Sequence, residues 1–329
     1  MWKQLKTLIA GSLLLGAALV PAQAADVVLK FAHEAPETAI KGRTATLFAE
    51  LVEKYTNGSV KVEVYPGGQL VPTVEEIRAA ARGQVDIIAP YTSYLASIND
   101  LWNLFYQPML FKSPEKAMEI FAGEIGQELL GKLDDRGLKG LAIWHDGPIY
   151  AFTTGEPPSD PAALKGQKVR VAPSKPQEML LEKVGATPVG MPGTEVFLAL
   201  QQGAVTGVVT TPTFAAPSGW GEVLKSMTRG ALWGEGGYGV SMNKRKWESL
   251  TAEQQAGIVK AIKEATAWNA SEALANIAKS EKTLEAAGMT ITDATDEQKA
   301  AWTVLAKDVW AAQSDEVKAL IARVQEAQK

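Results

Sequence analysis

Few residues of this chain are of types that perform covalent or metal chemistry. The sequence of 329 residues contains no cysteine and two histidines, His33 and His145. A zinc site needs several His or Cys ligands at short spacing, and no nucleophile-elbow, Walker A or HExxH pattern occurs. The sequence therefore predicts no catalytic residue, no metal and no cofactor, although catalysis by carboxylates alone stays open.

One glycine pattern matches the form of a dinucleotide-binding loop. Residues 234–239 read GEGGYG, but such a loop must open a helix. Here the apolar residues that follow continue as a strand, predicted over 238–242. We interpret the glycines as positions where the backbone turns, some of them with positive φ.

Arg170 is the residue whose type and position best fit ligand binding. It lies between two valines in a predicted strand over 168–171, which Pro173 and Pro176 interrupt. A guanidinium group binds a carboxylate through two parallel charge-assisted hydrogen bonds, which a lysine cannot imitate. Judged by residue type alone, a solvated arginine at the end of a strand is the commoner case.

The elements around Arg170 follow an α/β pattern. After that strand we predict a helix to Val184, a second helix over 195–202 and a strand over 205–209. Further strands are predicted over 27–32, 60–64, 85–89 and 138–144. Thr73 and Glu76 form a capping-box pattern for a helix that ends at Gly83, and Thr251 with Gln254 begins a long helix to about Ala287. Open sheets of this kind bind ligands at the ends of their strands.

The first 24 residues are predicted to be a secretory signal peptide. Lys3 and Lys6 precede an apolar run over residues 8–20, and Ala22-Gln23-Ala24 is a small-x-small cleavage site. We therefore expect an exported protein, cleaved near Ala24. The alternative is an uncleaved membrane anchor, for which the apolar run is short.

The net charge of the chain indicates whether a nucleic acid is among its expected partners. The formal charge is −4, and removal of the two lysines of the signal peptide makes it −6. A mildly acidic chain without a basic block indicates no nucleic-acid partner.

Residues 164–212 resemble the signature region of the DctP-type solute-binding proteins of TRAP (tripartite ATP-independent periplasmic) transporters. The family pattern pairs a "DLKGxKxRV" strand with a "GAxPVPMPxxEVxxALQxGxVDG" segment. The matching residues are Leu164-Lys165-Gly166, Lys168, Arg170-Val171, Gly185-Ala186, Pro188-Val189, Met191-Pro192, Glu195-Val196, Ala199-Leu200-Gln201, Gly203 and Gly207.

The resemblance implies a two-lobed α/β periplasmic binding protein, class II-like, with hinge strands and a long lobe-spanning C-terminal helix. It implies two crossings that form the hinge and a third passage along the long helix, so that lobe I comprises residues 25–148 plus 237–275 and lobe II comprises 149–236 plus 276–329. The implied function is a periplasmic receptor that binds a small organic acid and delivers it to the membrane subunits of a TRAP transporter.

The resemblance also assigns the grip on the ligand carboxylate to Arg170. Other predicted ligand-binding residues follow the ends of strands or occupy the turns that face the cleft in this family: His33, Glu34, Tyr91, Thr92, Ser93, Trp144, His145, Met191, Pro192, Thr210, Thr211, Phe214 and Trp233. For these residues a place in the core or the hinge is the alternative, and for Trp220 and Trp233 it is the commoner one.

Two departures from the family pattern bear on the ligand. Thr206 replaces the aspartate of the family's usual "VDG". Residues 147–154, GPIYAFTT, lack the second arginine that many family members have. The predicted cleft then carries one fixed positive charge, which favours a monocarboxylate with a hydroxylated or aromatic body over a dicarboxylate. A ligand-loaded sensor that presents itself to a membrane receptor, or a periplasmic enzyme that uses carboxylate chemistry, are the alternative functions.

Overall fold

The computed structural model describes residues 26–329, and the predicted signal peptide lies outside them. The strands are β1 (Val27–Ala32), β2 (Val60–Tyr65), β3 (Ile87–Ile88), β4 (Leu138–Pro148), β5 (Tyr150–Thr153), β6 (Lys168–Val171), β7 (Thr187–Gly190), β8 (Gly207–Thr210), β9 (Ser226–Arg229), β10 (Glu235–Asn243) and β11 (Thr290–Asp293). No helix of the described residues is long and apolar enough to cross a membrane.

Twelve α-helices are seen over the same residues. They are α1 (Ile40–Tyr55), α2 (Glu76–Arg82), α3 (Thr92–Leu95), α4 (Pro114–Ala122), α5 (Glu124–Gly131), α6 (Lys175–Lys183), α7 (Gly193–Gln201), α8 (Pro212–Ala215), α9 (Lys244–Glu248), α10 (Ala252–Ala286), α11 (Asp296–Ala311) and α12 (Asp315–Ala327). Short 3₁₀ segments join several of them, the longest at Asp100–Tyr106.

The strands form two mixed sheets, which confirms the two-lobed α/β prediction. The first sheet has the order β2-β1-β3-β10-β4 and the second has the order β11-β9-β5-β8-β6-β7. In the second sheet β6 is parallel to β7 and to β8, as expected for the strand that carries Arg170. The strand β10 lies between two neighbours and is buried along its whole length.

The chain passes from the first sheet to the second between β4 and β5, and returns between β9 and β10. These two crossings lie side by side, because the Ile149 N–H donates to the Gly234 carbonyl at 3.0 Å and the Trp233 N–H donates to the Ile149 carbonyl at 2.9 Å. A paired two-strand crossing of this kind can act as a hinge, since few dihedrals must change when the lobes move.

The glycines of residues 234–239 serve the crossing in two ways. Gly234 has φ of +131°, as the prediction of a turn requires. Gly236 has no positive φ and lies inside β10. A Cβ atom there would come within 2.6 Å of the Thr211 Cγ2 and 2.7 Å of the Tyr91 hydroxyl. The segment is therefore a strand that other residues approach closely.

The helix α10 is the long helix that the sequence predicts. Its 35 residues span about 52 Å, and the Thr251–Gln254 capping box is present at its start. It packs on α1 and β4 beside the first sheet and on α8 and β11 beside the second.

Two local predictions are wrong, and one strand was missed. Thr73 and Glu76 form no capping box, because a 3₁₀ turn at Thr73–Glu75 begins this region and no side chain caps it. The strand predicted over 85–89 is reduced to β3. The strand β7 was not predicted because it contains Pro188, which a sheet tolerates at an edge, where β7 lies.

We propose the lobe boundaries given above for the two halves of the fold. Those boundaries place the C-terminal helix α12 in lobe II, but α12 also contacts lobe I. It packs on the Asp100–Tyr106 segment, and Arg323 forms an ion pair with Glu128 at 2.6 Å.

Candidate functional site

A narrow cavity of about 20 Å³, room for about one water molecule, lies between the two lobes. Small-molecule sites in proteins are typically about 300–1,000 Å³, so this cavity must widen before it can hold a small molecule. Its lining residues are Glu34, Tyr91, Tyr94, Ile149, Arg170, Ala172, Gln177, Gly193, Val209, Thr210 and Phe214. These lining residues come from both lobes and from the crossing, and together they form the wall of the cavity.

Arg170 projects from β6, and a backbone carbonyl fixes its orientation. The Nε and Nη2 atoms donate to the Met191 carbonyl oxygen at 3.0 and 2.8 Å. Met191 directly follows β7, which pairs with β6. The guanidinium carbon also lies 5.9 Å from the centre of the Trp220 ring, close enough for a cation–π contact.

The charge of Arg170 is poorly compensated within the protein. The residue is 4% exposed, and no carboxylate of residues 26–329 lies within 4.0 Å of its guanidinium nitrogens. Burial lowers the pKa of Arg170, although the neighbouring Tyr94 opposes this. A buried cation without an ionic partner is costly, so this arrangement suits a site that receives an anion.

Glu34 lies in the same wall and has a cation of its own. Its Oε2 atom accepts a hydrogen bond from the ammonium group of Lys41, on the first turn of α1. Lys41 is completely buried, donates to the Ala89 carbonyl at 3.0 Å and lies 4.0 Å from the centre of the Tyr238 ring.

Two further titratable groups lie beside this ion pair. Glu76 is fully buried, and neither of its carboxylate oxygens has a hydrogen-bond partner among the described residues. Burial, and then the charge of Glu34, raise the pKa of Glu76 well above its usual value. His33 is also buried, and burial together with the charge of Lys41 lowers its pKa to about 3. His33 is therefore uncharged near neutral pH, and the shift at Glu76 favours its protonated form.

Tyrosine side chains cover much of the first lobe's side of the cavity. The ring of Tyr91 packs at 5.8 Å from Tyr106 and 5.6 Å from Tyr238. The hydroxyl of Tyr94 is buried without a hydrogen-bond partner among the described residues. Burial raises the pKa of both lining tyrosines, so they present neutral hydroxyl groups.

A buried acid ties the two lobes together near the crossing. The hydroxyl of Thr211 donates to Asp146 Oδ2 at 2.5 Å, and that of Thr213 donates to Oδ1 at 2.9 Å. Asp146 lies near the end of β4, whereas the threonines follow β8. These bonds occupy Thr211 and leave Thr210 to line the cavity.

The structure brings together five of the residues predicted to bind ligand. Arg170, Glu34, Tyr91, Thr210 and Phe214 all line the cavity. Met191 acts through its carbonyl on Arg170, and Pro192 precedes the first turn of α7.

The other predicted residues are not among those that line the cavity. The Thr92 hydroxyl lies 2.6 Å from that of Tyr106, and the Ser93 hydroxyl is buried without a partner among the described residues. Trp144 donates to the Thr266 hydroxyl at 3.0 Å, and the His145 N–H donates to Asn269 at 2.7 Å. Trp233 packs on Trp302 in the core, with ring centres 5.2 Å apart.

Several lining residues were missed, of which Tyr94 and Gln177 are polar. Tyr94 follows Tyr91 by three residues, a helical spacing that would have placed both on one face. Gln177 lies on the first turn of α6, just beyond the end of β6, where ligand-binding side chains of open sheets occur. Its Nε2 donates to the Trp233 carbonyl at 3.0 Å. Gly193 also lines the cavity, and a Cβ there would come within 3.0 Å of the Phe214 ring.

No group of three or more His, Asp or Glu side chains within residues 26–329 is arranged to hold a metal ion.

The chain is similar to known proteins over nearly its whole length. The family model described as bacterial extracellular solute-binding protein, family 7 (DctP), matches residues 31–316. The C4-dicarboxylate-binding periplasmic protein DctP of Rhodobacter capsulatus is 36% identical over 288 residues, covering 86% of this chain and 85% of that protein.

Solved structures share the fold. A TRAP periplasmic solute-binding protein from Shewanella oneidensis with bound succinate has a TM-score of 0.87 at 29% identity, covering 92% of this chain and 99% of that one. A protein of the same description from Polaromonas, bound to D-erythronate, has a TM-score of 0.85 at 26% identity, covering 91% and 98%.

Proposed function

The chain belongs to the DctP family of bacterial extracellular solute-binding proteins, and on that basis we propose that it is a periplasmic receptor for a small organic acid. Arg170 grips the carboxylate of the acid, and the loaded receptor delivers it to the membrane subunits of a TRAP transporter. No bond of the solute is broken.

The observation that carries this proposal is the environment of Arg170. Its guanidinium group lines the cavity between the lobes, is oriented by a carbonyl and has no carboxylate partner among the described residues. A ligand carboxylate would supply the missing negative charge through charge-assisted hydrogen bonds. The residues that line the cavity include no nucleophile–base pair for catalysis.

Both lobes contribute residues to the cavity wall, as expected if the lobes close around the ligand. Arg170 and Gln177 lie on the second lobe, whereas Glu34, Tyr91 and Tyr94 lie on the first. An acid that contacts both sides binds the closed form better than the open form, and so shifts the population toward closure. The paired crossing at Ile149 and Gly234 provides the hinge.

We further propose a hydroxylated monocarboxylate as the ligand. The support is the composition of the wall, in which Arg170 is a cation that no carboxylate of residues 26–329 pairs with, and the remaining polar groups are hydroxyls, an amide and Glu34. The related structures include binders of both kinds, since one contains bound succinate and another contains bound D-erythronate.

Thermal unfolding of the mature protein with pairs of organic acids and their neutral amides tests the receptor proposal. A ligand at a hundredfold its dissociation constant adds about 2.7 kcal/mol to the free energy of unfolding. We expect an acid to raise the midpoint while its amide does not, and Arg170→Gln to abolish the rise. Equal stabilisation by acids and amides would contradict the carboxylate grip.

A further inference from the structure

The cavity wall contains, besides Arg170, the acid Glu34, which is paired with Lys41. We propose that Glu34 determines the specificity of this site: its carboxylate accepts a hydrogen bond from a hydroxyl group of the bound acid and excludes a second carboxylate. This inference rests on the proposed function, and it concerns the end of the ligand that Arg170 does not hold.

The geometry leaves one oxygen of Glu34 for a ligand. Lys41 donates to Oε2, whereas Oε1 accepts no hydrogen bond from the described residues and is not among their buried, unpartnered atoms. Glu34 lines the cavity, and more than 4.0 Å separates its carboxylate from the nitrogens of Arg170. Glu34 and Arg170 therefore offer two separate points of contact to one small molecule.

Lys41 cannot itself serve as a second cation for the ligand. It is 0% exposed, is not part of the cavity wall, and its ammonium group is occupied by Glu34, the Ala89 carbonyl and the face of Tyr238. Lys41 forms the ion pair with Glu34 inside the protein. Neither carboxylate oxygen of Glu76 has a partner among the described residues, and burial raises the pKa of Glu76 well above its usual value.

Counting charges selects the class of ligand. Arg170 and Glu34 line the cavity and Lys41 neutralises Glu34, so the lining keeps one positive charge, which one ligand carboxylate neutralises. Asp146 does not line the cavity, and Thr211 and Thr213 donate to its two oxygens. A dicarboxylate would leave the closed site negative and would place its second carboxylate against Glu34, and like charges brought together in a buried site are strongly unfavourable. An ionised carboxylate accepts hydrogen bonds and donates none, so the ligand must supply the donor.

A ligand ammonium group is the alternative donor, and the charges disfavour it. An amino acid is neutral as a whole and would leave the positive charge of the site unmatched. A hydroxyl group donates to Glu34 without adding charge. We therefore assign a hydroxylated monocarboxylate, and an amino acid of the same length becomes one arm of the test.

The test measures dissociation constants by calorimetry on the full mature chain. The panel holds monocarboxylates of three to six carbons in four forms: unsubstituted, hydroxylated, amino-substituted and with a second carboxylate. For the wild type we expect a hydroxylated acid to bind at least about tenfold more tightly than its unsubstituted, amino and dicarboxylate counterparts, since a site built around a hydroxyl leaves its polar groups unpaired with other ligands.

The Glu34→Gln variant should change this ranking. An amide cannot repel a second carboxylate and can donate to it, so the ratio of dicarboxylate to hydroxy-acid affinity should rise at least about tenfold. Glu37→Gln, an exposed acid three residues further along, is the matched control and should leave the ratio unchanged. Because Glu34→Gln leaves Lys41 unpaired, the neutral double variant Glu34→Gln/Lys41→Met repeats the measurement without a buried lone charge.

Three outcomes would overturn the inference. They are a wild type that prefers a dicarboxylate or an amino acid, a ratio within about twofold of wild type in both Glu34 variants, and the failure of every hydroxylated acid to bind. Failure of the proposed function appears differently, because Arg170→Gln would then leave the binding of all the acids intact.

Discussion

The guanidinium group of Arg170 and the carbonyl oxygen of Met191 are joined by two hydrogen bonds, at 3.0 and 2.8 Å. A backbone acceptor thus sets the direction of the side chain and leaves its charge unneutralised. An acidic side chain in that position would have competed with a ligand carboxylate. The relationship allows Arg170 to be both rigid and available to an anion.

Replacement of Arg170 by lysine should abolish most of the affinity for acids. One ammonium group cannot hold the Met191 carbonyl and present a planar fork to a carboxylate. We expect an affinity loss of about a hundredfold, in line with the roughly 1.5–3 kcal/mol of a charged hydrogen bond, measured by calorimetry. Arg229→Lys is the control, since Arg229 pairs with Asp293 and Glu281 away from the cavity. Unchanged affinity in Arg170→Lys would contradict a bidentate grip.

The buried pair of Lys41 and Glu34 predicts a strong energetic coupling. Lys41→Met leaves the Glu34 carboxylate without its cation, and breaking a buried pair costs about 3–5 kcal/mol of stability. The double variant with Glu34→Gln should recover most of that loss, because no lone charge remains. Denaturant unfolding of the single and double variants measures the coupling, and additive losses would show that the two side chains act independently.

Gly236 predicts a steric link between the hinge and the cavity. Alanine there is tolerated by the backbone, but its Cβ would approach the Thr211 Cγ2 to 2.6 Å and the Tyr91 hydroxyl to 2.7 Å. We expect Gly236→Ala to cost about 1–3 kcal/mol and to weaken acid binding, because Tyr91 lines the cavity. Gly155→Ala, which meets no atom within 4 Å, is the control for both measurements. Wild-type behaviour of Gly236→Ala would show that the neighbours move without cost.

Much of the framework around Arg170 follows from sequence rules. The strand β6 was predicted at its observed bounds because its apolar residues end at a proline-rich turn, and the start of α10 was predicted from the Thr251–Gln254 capping box. Such signals are local. The choice of Arg170 as the ligand residue instead came from the family resemblance, since residue type alone favours a solvated arginine.

The parts that sequence reasoning missed depend on tertiary contacts. The acceptor for Arg170 lies at the end of β7, and Pro188 conceals that strand because edge pairing is not visible in a local pattern. Trp144 and Trp233 were predicted to bind ligand, and they pack in the interior. Gln177 gave no signal beyond its position one turn after β6. Which of two neighbouring polar residues faces a cavity is decided by the packing of the other lobe.

The raised pKa of Glu76 predicts a pH-dependent loss of stability that glutamine should remove. Burial raises the pKa of Glu76 above its value of 4.5 in the unfolded chain, so the native state binds a proton that the unfolded state releases. The stability that the raised pKa of Glu76 contributes to the wild type is fully present below pH 4.5. It is lost as the pH rises toward the native pKa. Glutamine resembles the protonated acid and carries no proton to lose.

The gain from Glu76→Gln should therefore grow with pH. Relative to the wild type, the free energy of unfolding should rise by about 1.4 kcal/mol per pH unit from pH 4.5 until the native pKa is reached. Denaturant unfolding at pH 5, 6, 7 and 8 gives this slope, and Glu53→Gln on the exposed side of α1 provides the reference. The lowered pKa of His33 acts on both proteins alike, so it cancels in the difference. A difference between Glu76→Gln and wild type that stays constant over this range would mean that Glu76 is ionised in the native protein, and the charge count at the cavity would then need an additional cation.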